Sequence, residues 1–151
     1  MSFNPQLAKA IDRIGRLERT IAELALLPQR VATNAAPKLD RLVKQQFARG
    51  VDPYGRAWKP ITLATKRRRK GRKGAPPLTD TSRLRAGTGV NVARAGARLQ
   101  LGAPYGYFHQ TGTKHMPARR IFPQFGLPAT WRKVLRDAAR EERRKILAGA
   151  R

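Results

Sequence analysis

The sequence predicts an α+β domain with helices toward both ends and a small antiparallel sheet between them. Three observations predict it. Before residue 50, apolar residues recur at steps of three, four and seven. Between residues 89 and 103 they alternate with polar or small residues, and after Pro128 the helical spacing returns. No internal repeat is visible, and 151 residues suit a single domain.

Leu7, Ile11, Ile14, Ile21 and Leu24 fall on one stripe of a first helix, opened by Asn4 as cap and Pro5 in the first turn. Pro28 is expected to end or kink it. The stripe reads first as a core face and second as a subunit contact. Residues 1–33 thus form an N-terminal helical arm. A second helix is expected from Asn34 or Pro37 to Ala48, with Leu39, Leu42, Val43 and Phe47 inward and Gly50 as its stop. Asp52-Pro53-Tyr54-Gly55 is a turn signature, followed by Trp58 and Pro60; residues 34–61 hold this helix and turn.

Residues 62–80 read as an exposed basic loop. It carries Lys66, Arg67, Arg68, Arg69, Lys70, Arg72 and Lys73 with no large apolar residue in that run, and Pro76-Pro77 stiffens its end. Residues 81–127 form the β core. Val90, Val92, Leu99 and Leu101 alternate on two strands, 89–95 and 97–103, around a turn at Ala95-Gly96. Residues 104–110 make a short helical turn, and 117–122 a further extended strand broken by Pro123. Residues 128–151 form a last helix with Trp131, Val134, Leu135, Ala138 and Ile146 on one face and Gly149 after its end. Glu141 and Glu142 precede Arg143, Arg144 and Lys145 at spacings that include the helical three and four.

Charge is the strongest compositional signal. Thirty-three Lys and Arg against nine Asp and Glu give a net charge of +24. Such a body repels itself and attracts polyanions, nucleic acid first. An anionic membrane surface, an acidic protein or neutralisation by neighbouring subunits also fits. The absence of cysteine excludes disulfides, thiolate metal sites and a Cys nucleophile, and fits a reducing compartment. No apolar run reaches the length of about 20 residues that spans a bilayer, and the first ten residues lack a signal-peptide core. A soluble chain made in a cytoplasm is expected.

Little in the sequence supports catalysis. No Asp or Glu lies between Asp80 and Asp137, so the β core offers no carboxylate pair. The two histidines, His109 and His115, lack the i, i+4 spacing of a zinc helix. His109 with Arg119 could support ribonuclease-like acid–base work, as in small basic toxins. Beside Tyr105, Tyr107 and Phe108, His109 reads more simply as a packed residue bonding a loop backbone. Gly71-Arg72-Lys73-Gly74 has the wrong spacing for a phosphate loop. The expectation is no enzyme, no cofactor and no metal.

Three ordered stretches carry a resemblance. The first runs from Phe47 through Gly50, Asp52, Pro53, Gly55 and Trp58 to Pro60. The second holds Leu78, Asp80, Thr81 and Leu84. The third holds Tyr105, His109, Gln110 and Gly112, then Pro117, Arg119 and Phe122. Together they resemble the phage virion morphogenesis (tail-completion) family of tailed phages. Ser82 stands where the family usually has glycine, and Gly106 where it usually has alanine.

The resemblance implies an α+β ring subunit, often six-fold, at the neck of the particle. It would complete the tail or join it to the filled head, around the DNA channel. The implied partners are further copies of itself, the head–tail connector, and tail-terminator or tail-tube proteins. Phage DNA would be met without sequence reading, and no membrane is involved. The implied location is the virion, after synthesis in the bacterial host cytoplasm.

In this light Asp52, Pro53, Gly55, Trp58, Leu78, Thr81, Leu84, Tyr105, His109, Gln110, Gly112, Pro117 and Arg119 are fold determinants first and interface residues second. Arg119 is a candidate for reaching a neighbour's carboxylate. The loop from Lys66 to Lys73 is the candidate DNA or channel contact. Outside that family, a free nucleic-acid-binding protein or a ribonuclease toxin would also account for the charge.

Overall fold

The computed structural model describes residues 5–69, 77–94 and 96–149. Asn4, Lys70, Arg72 and Lys73 lie outside the described residues, as does the side chain of Leu7. The architecture is α+β: α1 (Pro5–Ala25), α2 (Leu27–Arg49), α3 (Leu63–Arg68) and α4 (Arg83–Gly87) precede a hairpin of β1 (Gly89–Ala93) and β2 (Gly96–Gln100), and α5 (Gly106–Thr111) and α6 (Ala129–Gly149) follow.

The long helix α2 organises the core. Ala35, Ala36, Leu39, Val43 and Phe47 recur at helical spacing and are buried, with α6 on one side and the hairpin on the other. Trp58, Leu84, Val90, Ile121, Phe122 and Trp131 close over them. The alanines set the closeness of the approach: small side chains bring the N-terminal half of α2 near its neighbours. From α6, Trp131, Ala138 and Ile146 are buried, with Val134 and Leu135 packed beside them.

Several expectations are corrected here. The second helix begins at Leu27, not at Asn34 or Pro37. Pro28 occupies its first turn, where a missing N–H removes nothing the helix would have used. Pro37 stands inside the helix and leaves the carbonyl of Thr33 without its i+4 donor. Burial of Ala32, Ala35 and Ala36 around it outweighs that loss. Residues 62–80 are not all loop: the Thr62 hydroxyl accepts from Thr65 N at 3.3 Å and caps α3.

The sheet has two strands among the described residues, and 117–120 is not one of them. The partners of that segment lie outside any ladder, as described below. In the hairpin Ala93 pairs with Gly96, so Gly96 is the first residue of β2, not part of the turn. Val90 is buried, but Val92, further along β1, and Leu99, opposite Val90 on β2, are exposed on the same face, because α2 packs mainly against β1 and the start of the ribbon. Gly149 is the last residue of α6 rather than its follower.

The apolar stripe of α1 is not a core face. Ile11, Ile14, Leu17 and Ile21 are 61%, 56%, 62% and 66% exposed. The half-buried residues of α1 are Ala8, Gly15, Arg16, Thr20 and Glu23, which lie on the other side of the helix.

Candidate functional site

The first motif is a turn built on one carboxylate. Asp52 Oδ1 accepts from the backbone N–H of Tyr54 and of Arg56, both at 2.9 Å. The Asp52 carbonyl accepts from Gly55 N at 3.0 Å, and Asp52 N donates to the Arg56 carbonyl at 2.8 Å. Gly50 ends α2 at φ 67°, and Gly55 turns at φ 82°. Left-handed geometry at both explains why glycine is needed there. The turn then delivers Trp58, whose N–H bonds back to the Gly50 carbonyl at 2.9 Å.

Trp58 and Arg119 bind this segment to the third motif. Trp58 packs edge-on against Phe47 with ring centroids 5.5 Å apart, and its Nε1 donates to the Arg120 carbonyl at 2.8 Å. In the other direction, Arg119 Nε donates to the Lys59 carbonyl at 2.7 Å and Nη2 to the Pro60 carbonyl at 3.0 Å. Arg119 is only 6% exposed. Its guanidinium is therefore an internal clamp and does not reach out to a neighbour's carboxylate. Tyr54 adds a further tie, donating to the Gly126 carbonyl and accepting from the backbone of Gln124 and Phe125.

Gln110 explains why 117–122 forms no strand. Its Oε1 accepts from Ile121 N at 2.8 Å and Phe122 N at 3.0 Å, while Nε2 donates to the Phe122 carbonyl at 2.8 Å. Arg119 N bonds the carbonyl of His109 at 2.7 Å. A side-chain amide and the end of α5 thus take the backbone groups that a strand would offer to a sheet. Gly112, at φ 81°, ends α5 where a Cβ would lie 2.9 Å from Ala118 N. Pro117 follows, half-buried, after the bridge between Thr113 and Met116.

The second motif docks through its leucines. Leu78 and Leu84 are buried in the same core as Trp58, whereas Thr81 is exposed. Ser82, at the position where glycine is usual, has φ 56°. Gly106 lies against Leu84, and an added Cβ would sit 2.9 Å from its Cδ1. The departure at Ser82 thus coincides with left-handed backbone, and that at Gly106 with a tight contact to the flexible end of a leucine.

His109 is half-buried under Tyr105, ring centroids 6.0 Å apart. Its Nδ1 is buried and has no hydrogen-bond partner among the described residues, contrary to the expected bond to a loop backbone. Burial, then the nearby Arg119 charge, hold its pKa below the ordinary histidine value. Burial and then Arg69 likewise lower the pKa of Arg119. His115 is exposed and apart from this arrangement. Among the described residues, no group of three His, Asp or Glu side chains is placed to hold a metal ion.

The cations divide into two surfaces. On α3, Lys66, Arg67 and Arg68 are exposed and form no ion pair among the described residues. Arg69 does not join them: it is buried, with Nε 3.7 Å from Asp80 Oδ1. The second surface lies on α6, where Arg136, Arg140, Arg143 and Arg144 are exposed on the side away from Trp131, Ala138 and Ile146. From the sequence, Arg143 and Arg144 read only as partners of Glu141 and Glu142, and Arg136 and Arg140 were not singled out. The i, i+4, i+7, i+8 spacing of the four arginines was the available signal. Glu142 shares α6 but faces inward, accepting from Asn34 Nδ2 at 2.9 Å and Lys145 Nζ at 2.8 Å. Those two bonds, that of Lys145 first, lower its pKa.

Residues 6–148 match the model of the phage virion morphogenesis family. No curated protein and no solved structure matches the chain.

Proposed function

Because this chain belongs to the phage virion morphogenesis family, with the virion structural or assembly role that the family carries, we propose that it completes the tail or joins it to the head. In this reading it forms a six-fold ring of identical subunits at the neck, around the DNA channel, between the head–tail connector and the tail-terminator or tail-tube proteins. Its role is mechanical rather than catalytic. The observation that carries the reading is the match over nearly the whole chain.

The use of the motif residues supports it. Asp52, Trp58, Gln110 and Arg119 spend their polar atoms on the protein's own backbone, which is what a rigid building block requires. The cationic faces on α3 and α6 suit a lining near DNA: exposed arginines without a reading helix contact phosphates and ignore sequence. A net charge of +24 is tolerable where a polyanion or acidic neighbours neutralise it.

Deleting the gene and imaging the particles by electron microscopy tests the proposal. Filled heads separate from unjoined tails are expected. Normal, complete, infectious particles would refute it and favour a nucleic-acid-binding protein that acts outside the virion.

A further inference from the structure

We propose that the outward face of α1 pairs with α1 of a second copy of this chain, parallel and in register, as a short coiled coil. From Ala10 the exposed residues of α1 follow a heptad: Ile14 and Ile21 at the a positions, Ala10, Leu17 and Leu24 at d. Isoleucine at a with leucine at d suits parallel packing of two helices. The 21-residue helix is about 31 Å long, and from Ala10 to its end it holds just over two heptads.

Charge says what covers this face. Outside α1 the chain carries nearly all of the +24, so approach of a second copy through most other surfaces is repelled. α1 is the exception, with four basic and three acidic residues and a net charge of +1. Asp12 and Glu23 are already paired within the chain, to Arg16 and Arg30. Arg13 and Glu18 are exposed and form no ion pair among the described residues.

In the heptad Arg13 is a g residue and Glu18 the following e residue. A parallel, in-register pair sets Arg13 of one copy against Glu18 of the other, twice. An antiparallel pair sets Arg13 near Thr20 and Glu18 near Ile11, so neither charge is matched. A parallel, in-register pair is related by a two-fold axis along the helices, an isologous contact that joins two copies. The inference does not rest on the ring proposed above.

The chain contains no cysteine, so a single introduced one reports the contact cleanly. With the full-length Leu24→Cys chain, mild oxidation is expected to give a disulfide-linked pair, since d residues meet in a parallel arrangement. An antiparallel pair would place these positions roughly 25 Å apart and leave them unlinked. By sedimentation equilibrium the parent chain is expected to self-associate, and Ile14→Asp with Ile21→Asp to weaken this at least tenfold without changing the thermal unfolding of the core. Arg13→Glu alone should weaken it, and Arg13→Glu with Glu18→Arg restore it, which keeps the test valid if the aspartate variant misfolds.

A monomeric parent chain, or absence of the disulfide, overturns the proposal and leaves the face to a different protein of the particle. Unchanged self-association of the Ile14/Ile21 variant overturns it while leaving the neck reading intact. Paired α1 helices together with normal particles from the deletion strain support it while defeating the neck reading.

Discussion

Replacing Gln110 with alanine should destabilise the chain by about 3 kcal/mol. One amide satisfies three backbone groups: the N–H of Ile121, and the N–H and carbonyl of Phe122. Ile121 and Phe122 are buried, so water reaches their freed groups poorly. Each hydrogen bond is worth about 1 kcal/mol net, and each buried group left unpaired costs about 1–3 kcal/mol. Three unmatched groups, with water relieving part of the deficit, give the 3 kcal/mol, roughly a 150-fold change in the folding equilibrium constant. For a domain of this size that is a fall of about 6–12 °C in Tm. Gln110→Glu keeps both acceptor bonds but turns a carboxylate oxygen toward the Phe122 carbonyl, so its loss should shrink at low pH, where the protonated carboxyl can donate to that carbonyl. Trp58 and Trp131 are both buried, and their fluorescence in a urea titration reads the transition. A loss below about 1 kcal/mol for the alanine variant would refute the view that this amide replaces a strand's ladder.

Four further outcomes follow from the same structure. Ser82→Gly should raise stability by about 0.5–1 kcal/mol in the same titration, because φ 56° strains a residue with a Cβ. Arg119→Lys should cost about 2 kcal/mol, since an ammonium cannot reproduce the fork that holds the Lys59 and Pro60 carbonyls together. The depressed pKa of His109 means that the unfolded chain binds its proton first as pH falls. Its contribution to stability is therefore complete above the ordinary value of 6.5 and lost as pH drops through the folded value. Unfolding measured against pH should show this slope, and His109→Gln should abolish it. Finally, replacing Lys66, Arg67 and Arg68 together by alanine should reduce the slope of log binding constant against log salt for duplex DNA by about 2–3, without changing sequence preference; an unchanged slope would remove α3 from the DNA-facing surface.

Much of this protein was legible in its sequence because local chemistry decided it. The face formed by Leu39, Val43 and Phe47, the left-handed stops at Gly50 and Gly55, and the buried face of α6 follow from helical spacing and backbone sterics. The family too is written in short ordered motifs, and the match over residues 6–148 bears it out. What periodicity could not reveal was which way an amphipathic element points. The stripe of α1 and the pair Val92 and Leu99 are as apolar as any core segment, yet they face outward, because exposure depends on what lies opposite in space. Pro37 looked like a helix start because the packing of Ala32, Ala35 and Ala36 that overrides it involves distant residues. The extended look of 117–122 was real, but a glutamine amide and the end of α5, not a neighbouring strand, take its backbone groups. Arg69 belongs to the basic run in sequence and to the interior in space, because Asp80 lies across from it. Spacing along the chain determined the elements and their family. Only tertiary structure decided which faces were spent on the core and which remain for a partner, since burial is a relation between segments far apart in the chain.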